Sequence, residues 1–154
     1  YDKICTTHSW ESRYQTCLNA KEAGLSLCSG GIFGLGESKE ERTSFIQSVK
    51  SLSPDTMPLN FFIQNPALPI KATPLSEEEA LAIITEVREA LPNTRLMVAG
   101  GRETTFKSED CDIFAAGADA IVIGDYLTTK GKLPESDLKM IERLGYGIAT
   151  TCHA

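Results

Sequence analysis

Apolar positions along the chain alternate between two rhythms. Trp10, Tyr14, Cys17 and Leu18 fall on one face of a helix, and Gly24 supplies its stop. The apolar run 25–28 reads as a strand. Ser38 and Glu41 have the Ser-x-x-Glu spacing of a capping box, and Phe45, Ile46, Val49 and Leu52 follow at helical spacing. Ser53-Pro54-Asp55 reads as a turn, 57–63 as a buried strand, and the proline-rich stretch 65–74 as a long loop. A second capping box, Ser76 and Glu79, opens a helix bearing Leu81, Ile84, Val87 and Leu91. Beyond the break at Pro92-Asn93, strands are predicted at 95–99 and 120–123. Helices are predicted near 108–116, ending at Gly117, and over 136–144.

The order is a helix followed by four strand–helix repeats. Such alternation predicts an α/β fold with a parallel sheet and right-handed crossovers. The strands are apolar runs, which predicts cover on both faces. The chemically interesting motifs are expected just after strands, at the catalytic face of a (β/α)8 barrel. Four strands make only half of one, so an apolar inner face and two sheet edges are expected to need covering, most simply by a second copy in a homodimer.

Composition narrows the class. The chain has 154 residues, 42% of them hydrophobic, and a formal charge of −6. That is about one domain, here a single segment over 1–154. The acidic balance gives no source of attraction to nucleic acid or anionic membrane, and no apolar run is long enough for a transmembrane helix. Tyr1-Asp2-Lys3 looks like a cut edge within a longer protein rather than a signal peptide or a natural start. Cysteines at 5, 17, 28, 111 and 152 are odd in number and widely spaced. They fit neither a disulfide framework nor a zinc site, and free thiols point to a cytoplasmic protein. His8 and His153 have no metal-ligand spacing and read as surface residues.

The densest chemistry is Cys28-Ser29-Gly30-Gly31-Ile32-Phe33-Gly34-Leu35-Gly36-Glu37, with four glycines in seven residues. Such a turn lets the backbone approach a flat or anionic ligand closely, or simply connects a strand to a helix. Cys28 is either a core thiol or a soft metal ligand. Asn60 lies within an apolar strand, where its amide either bonds neighbouring backbone or meets a ligand that both donates and accepts. Arg13, between Trp10 and Tyr14, reads as a solvated helix residue or as a partner for a carboxylate. Arg102 and Glu103 could pair with each other.

The pattern Gly30-x-Ile32-x-Gly34-x-x-Glu37, preceded by Cys28, resembles the biotin synthase family of radical S-adenosylmethionine (SAM) enzymes. The resemblance continues through Pro58-Leu59-Asn60, Ala99-Gly100-Gly101-Arg102-Glu103 and Gly124-Asp125-Tyr126-Leu127-Thr128-Thr129, and so covers nearly the whole chain in order. It implies the C-terminal half of a radical SAM barrel, including the region associated with biotin and thiamin synthesis. The implied activity is sulfur insertion into dethiobiotin to give biotin. The implied cofactors are SAM, a [4Fe–4S] cluster and an auxiliary [2Fe–2S] or related cluster, with an electron donor of flavodoxin or ferredoxin type.

By the same resemblance, Cys28 ligates the auxiliary cluster and takes part in catalysis. Gly30, Gly31 and Gly34 admit SAM, and Ile32 packs on its adenine. Arg13 lies near the SAM carboxylate, and Asn60 meets the ureido ring of dethiobiotin. The family's cluster-binding arginine is replaced by Met97, with Arg95 two residues earlier as the substitute candidate. The Cys-x-x-x-Cys-x-x-Cys run that holds the SAM-binding cluster does not occur in this sequence, so the segment alone is expected to be inactive. Two alternatives stand beside this reading. One is a sibling radical SAM enzyme, such as a thiazole-pathway tyrosine lyase or a hydrogenase-maturation protein; the other is a non-catalytic half-barrel that works by assembly.

Overall fold

A computed structural model describes residues 1, 4–127 and 129–151; Cys152 and His153 lie outside the described residues. The elements are α1 (Trp10–Glu22), β1 (Gly31–Phe33), α2 (Lys39–Leu52), β2 (Thr56–Phe61), α3 (Glu77–Ala90), β3 (Arg95–Val98), α4 (Arg102–Thr105), β4 (Ala120–Ile121) and α5 (Pro134–Arg143). The strands form one open parallel sheet in the order β1-β2-β3-β4, consistent with half of a TIM-type barrel.

Local chemistry explains the helix starts. The Ser38 hydroxyl accepts from the Glu41 N–H at 3.2 Å while the Glu41 carboxylate accepts from the Ser38 N–H at 2.8 Å. Ser76 and Glu79 reproduce the arrangement at 3.1 and 2.8 Å. Helices α2 and α3 then bury Ile46, Val49, Ile83, Ile84 and Val87 against Phe33, Met57, Leu59, Phe61, Leu96 and Val98 of the sheet. Arg88 clamps α3 to the segment before β4 by an ion pair to Asp119 and a hydrogen bond to the Gly117 carbonyl, and to the start of β3 by a hydrogen bond to the Thr94 carbonyl.

The expected helix α1 forms, with Trp10, Tyr14, Cys17 and Leu18 half-buried on its inner side. Polar contacts hold it to the end of α2. Tyr14 shares a 2.7 Å hydrogen bond with Ser51, and Lys21 donates to the carbonyls of Leu52 and Ser53.

Three expectations need correction. The first strand is Gly31–Phe33, not 25–28; Leu25 is 63% exposed, and Cys28 makes only an isolated bridge to Thr56. Pro58 supplies the reason. Thr56 bonds the Cys28 segment in ordinary parallel fashion, donating to the Leu27 carbonyl and accepting from the Ser29 N–H. The next rung would need an N–H from residue 58, and proline has none. Second, 108–117 holds turns rather than a helix, and the helix after β3 is the single turn α4. Asp112 accepts from the N–H groups of Phe114 and Ala115, and Gly117 at φ 118° stops the turn from propagating.

Third, the strands are not covered on both faces. Burial alternates along β2 and β3. Ile32, Pro58, Asn60, Arg95 and Met97, on the face away from the helices, are half-buried or exposed. The open face is therefore not the uniformly apolar inner face expected: it carries Asn60 and Arg95, while Leu27 is buried and Ile121 sits in register with the helix-covered Val98.

Candidate functional site on the open sheet face

Strand register places the candidate residues in rows. Cys28 pairs with Thr56, and Thr56 with Arg95. Ile32 pairs with Asn60, and Pro58 with Met97. Residues in register share a face, so Cys28, Ile32, Asn60 and Arg95 all lie on the open side. Arg95 shares the Cys28 row, two strands away or roughly 10 Å, whereas Met97 lies one row further on. The Ile32–Asn60 row is four residues beyond Cys28, roughly 13 Å along the sheet. Thus the candidates occupy two separate rows of one surface. Arg13 stands apart from both, exposed on α1.

Cys28 and Gly30 precede β1, and Asn60 lies within β2, so these motifs are not all carried by loops after strands. The glycines have identifiable neighbours. A Cβ on Gly30 would stand 2.0 Å from the Pro58 carbonyl oxygen, and one on Gly31 would stand 2.5 Å from the Phe45 ring. Both therefore allow close packing of the Cys28 segment on β2 and α2. Gly34 adopts φ 86°, a left-handed conformation that glycine takes without penalty. The N–H groups of Gly34 and Leu35 both point at the Glu37 carboxylate, at 2.8 Å each. Glu37 is thus the turn's own anion, and the turn is not an open cradle for a negatively charged ligand. What it leaves on the open face is Ile32, 52% exposed, an apolar platform beside Asn60.

Asn60 is held by backbone on both sides. Its Nδ2 donates to the Gly31 carbonyl at 3.1 Å, and its Oδ1 accepts from the Gly100 N–H at 3.0 Å. A primary amide has two N–H donors and two carbonyl lone pairs. One of each is engaged, so one of each remains to meet a ligand.

Behind Gly100 lies a buried polar network. Arg102, 3% exposed, pairs with the fully buried Asp137 of α5 at 2.8 Å and with Glu103 at 3.0 Å. The Tyr126 hydroxyl lies 3.0 Å from both the Glu103 carboxylate and the Ala99 carbonyl. Burial, then the Glu103 charge, pushes the Tyr126 pKa up, so the phenol stays a donor. Arg102 and Glu103 do pair, as their adjacency suggested. The contribution of Asp137 carried no signal, because an acidic residue in a first helical turn ordinarily faces water. Glu37 and Tyr126 stand within recognised motifs, yet their partners become visible only in three dimensions. A cleft of about 470 Å³ between Arg102, Phe106, Cys111, Asp137, Met140 and Arg143 opens beside α5 and includes none of the candidate site residues.

The described cysteines at 5, 17, 28 and 111 are free thiols. Among the described residues no three His, Cys, Asp or Glu side chains converge as a metal site. Cys28 is exposed and soft, which fits a single ligand to an iron–sulfur cluster whose other ligands lie elsewhere. His8 is exposed, its ring 2.9 Å from the Thr7 hydroxyl. No helix among the described residues is long and apolar enough to cross a membrane.

Comparison with known proteins bears on this surface directly. Residues 58–147 match the Biotin and Thiamin Synthesis associated domain. The chain belongs to this family. Over 99% of its length it is 56% identical to a biotin synthase of a Nitratiruptor species and 54% identical to one of Aliarcobacter butzleri. It is 55% identical to a biotin synthase of Helicobacter pylori. The chain spans about 55% of the length of these relatives. The family match covers Asn60, the Arg102 network and α5, while similarity to the biotin synthases extends across Cys28 and the glycine turn as well.

Proposed function

We propose that the chain is the C-terminal part of a biotin synthase, which converts dethiobiotin to biotin by sulfur insertion. The observation that carries the reading is one open sheet face bearing Cys28, Ile32, Asn60 and Arg95, in a chain similar to biotin synthases over nearly all its length. When bound, SAM, a [4Fe–4S] cluster held outside this segment and an auxiliary iron–sulfur cluster supply the radical and the sulfur. Electrons come from a flavodoxin- or ferredoxin-type donor, and the site is cytoplasmic.

The chain's own residues bind and orient. Cys28 contributes one thiolate to the auxiliary cluster, and Arg95, in the same row, is the candidate for a further ligand. Ile32 offers the adenine an apolar surface, and Gly30, Gly31 and Gly34 keep the backbone behind it clear of side chains. Arg13 pairs with the SAM carboxylate. Asn60 uses its remaining N–H and lone pair on the ureido ring, whose urea group both donates and accepts. The open face excludes water only when covered, by the rest of a longer chain and by association of two copies.

Cys28→Ala in the full-length protein tests the reading. It is expected to abolish biotin formation while the SAM-binding cluster still assembles, as judged by iron and sulfide content and visible absorbance. A wild-type yield of biotin from the alanine variant would sink the assignment.

A further inference from the structure

We infer that Tyr126 is a positioning residue for Asn60, fixing the direction in which the Asn60 amide presents its free donor and acceptor. The inference rests on the reading of Asn60 as a dethiobiotin contact.

The link between the two is the turn Ala99-Gly100-Gly101 after β3. Below, β2 grips it: the Ala99 N–H donates to the Leu59 carbonyl at 2.9 Å, and the Phe61 N–H donates to the Gly100 carbonyl at 2.7 Å. Gly101 sits at φ 83°, so close that a Cβ there would stand 2.0 Å from the Phe61 oxygen. Above, the Tyr126 hydroxyl lies 3.0 Å from the Ala99 carbonyl, and Glu103, itself held by Arg102, lies on its other side. Clamped this way, the turn aims the Gly100 N–H at Asn60 Oδ1.

That single N–H has a directional consequence. Oxygen and nitrogen of a primary amide exchange places on a half-turn, and only hydrogen-bond partners distinguish the two orientations. The Gly100 donor demands the oxygen and the Gly31 carbonyl demands the nitrogen. Together they leave the free N–H toward β1 and the free lone pair toward β3. A flipped amide would set donor against donor at Gly100. The space is tight as well, since a Cβ on Gly100 would stand 3.1 Å from Asn60 Oδ1. The Tyr126 hydroxyl bonds Ala99 and Glu103, whereas the Asn60 amide bonds Gly31 and Gly100, so Tyr126 acts on Asn60 through the turn.

The test is a double-mutant cycle in the full-length protein, with Tyr126→Phe and Asn60→Ala alone and together. Binding of labelled dethiobiotin and of SAM is measured by equilibrium dialysis without turnover. Tyr126→Phe is expected to weaken dethiobiotin binding about 3–10-fold, the size of one lost hydrogen bond, and SAM binding by less than about 2-fold. In the Asn60→Ala background the same change should alter dethiobiotin binding by less than about 1.5-fold, because there is no amide left to position. Two outcomes overturn the inference: equal weakening in both backgrounds, or no effect of Tyr126→Phe where Asn60→Ala does weaken dethiobiotin. If Asn60→Ala itself leaves dethiobiotin binding intact, the substrate-contact reading of Asn60 fails instead. Gly100→Ala gives an independent arm, weakening dethiobiotin binding when Asn60 is present and not when it is absent. A loss of dethiobiotin and SAM affinity together would mark the network as merely structural.

Discussion

Replacing Asp137 by alanine should destabilise the protein by about 3 kcal/mol, a figure that follows from the surroundings of Arg102. The Arg102 guanidinium is 3% exposed, and one nitrogen of it bonds Asp137 at 2.8 Å, Glu103 at 3.0 Å and the Val122 carbonyl at 3.4 Å. Removing one partner of a buried ion pair typically costs about 3–5 kcal/mol, because the remaining charge is stranded away from water. Glu103 stays in place and is 17% exposed, so part of the neutralisation survives. Asp137 also carries a buried oxygen without a hydrogen-bond partner, and deleting it returns about 1 kcal/mol. The net therefore sits at the lower end of the range. At about 2–4 °C per kcal/mol, the melting midpoint should fall by roughly 6–12 °C. Thermal and urea unfolding measure this directly. The companion double variant, Arg102→Met with Asp137→Leu, should recover part of the loss, since the fully buried pair is then gone and only Glu103, 17% exposed and still bonded by the Tyr126 hydroxyl, loses its cation. A loss below about 1 kcal/mol for Asp137→Ala, or a double variant no better than the worse single, would refute the account of a stranded charge.

Two further outcomes are expected. Hydrogen bonding from Thr7 lowers the Cys5 thiol to about 7, whereas burial, then the Glu77 charge, pushes Cys111 up to about 11. Near pH 7 about half of Cys5 is thiolate against roughly one part in ten thousand of Cys111; after allowing for the greater nucleophilicity of the more basic thiolate, iodoacetamide should modify Cys5 about 100-fold faster. Peptide mass spectrometry after timed quenching reads the ratio, and comparable rates would contradict it. The 154-residue segment by itself should associate, most simply as a dimer, because its sheet has one open face and two unpaired edges. A cooperative melt from a monomer by light scattering would show that the open face is tolerated.

The legible parts of the sequence are those governed by neighbours in the chain. Ser38 with Glu41 and Ser76 with Glu79 announce helix starts because each box closes within four residues. Ile46, Val49, Ile84 and Val87 follow from helical spacing alone, and the α/β order follows from the alternation of segments. The first strand escapes local reading because its rungs depend on a residue in another strand, Pro58. Composition favours a helix over 108–116, yet Asp112 bonds the backbone locally and Gly117 ends the turn. At the site, residue types point to Cys28, Asn60 and the glycine turn. That Glu37 occupies the turn's N–H groups, and that Tyr126 and Asp137 stand behind Asn60, are facts of tertiary placement. No local spacing encodes them.

The proline in β2 has one more consequence. Toward β3 this strand is tied along four consecutive register pairs, while toward β1 its hydrogen-bonded ladder skips a rung at Pro58. The sheet is therefore mechanically uneven: a shearing load would part the Cys28 segment from β2 before it parted β2 from β3. Cys28 rides on the compliant side of that seam, and Asn60 is fixed on the stiff side.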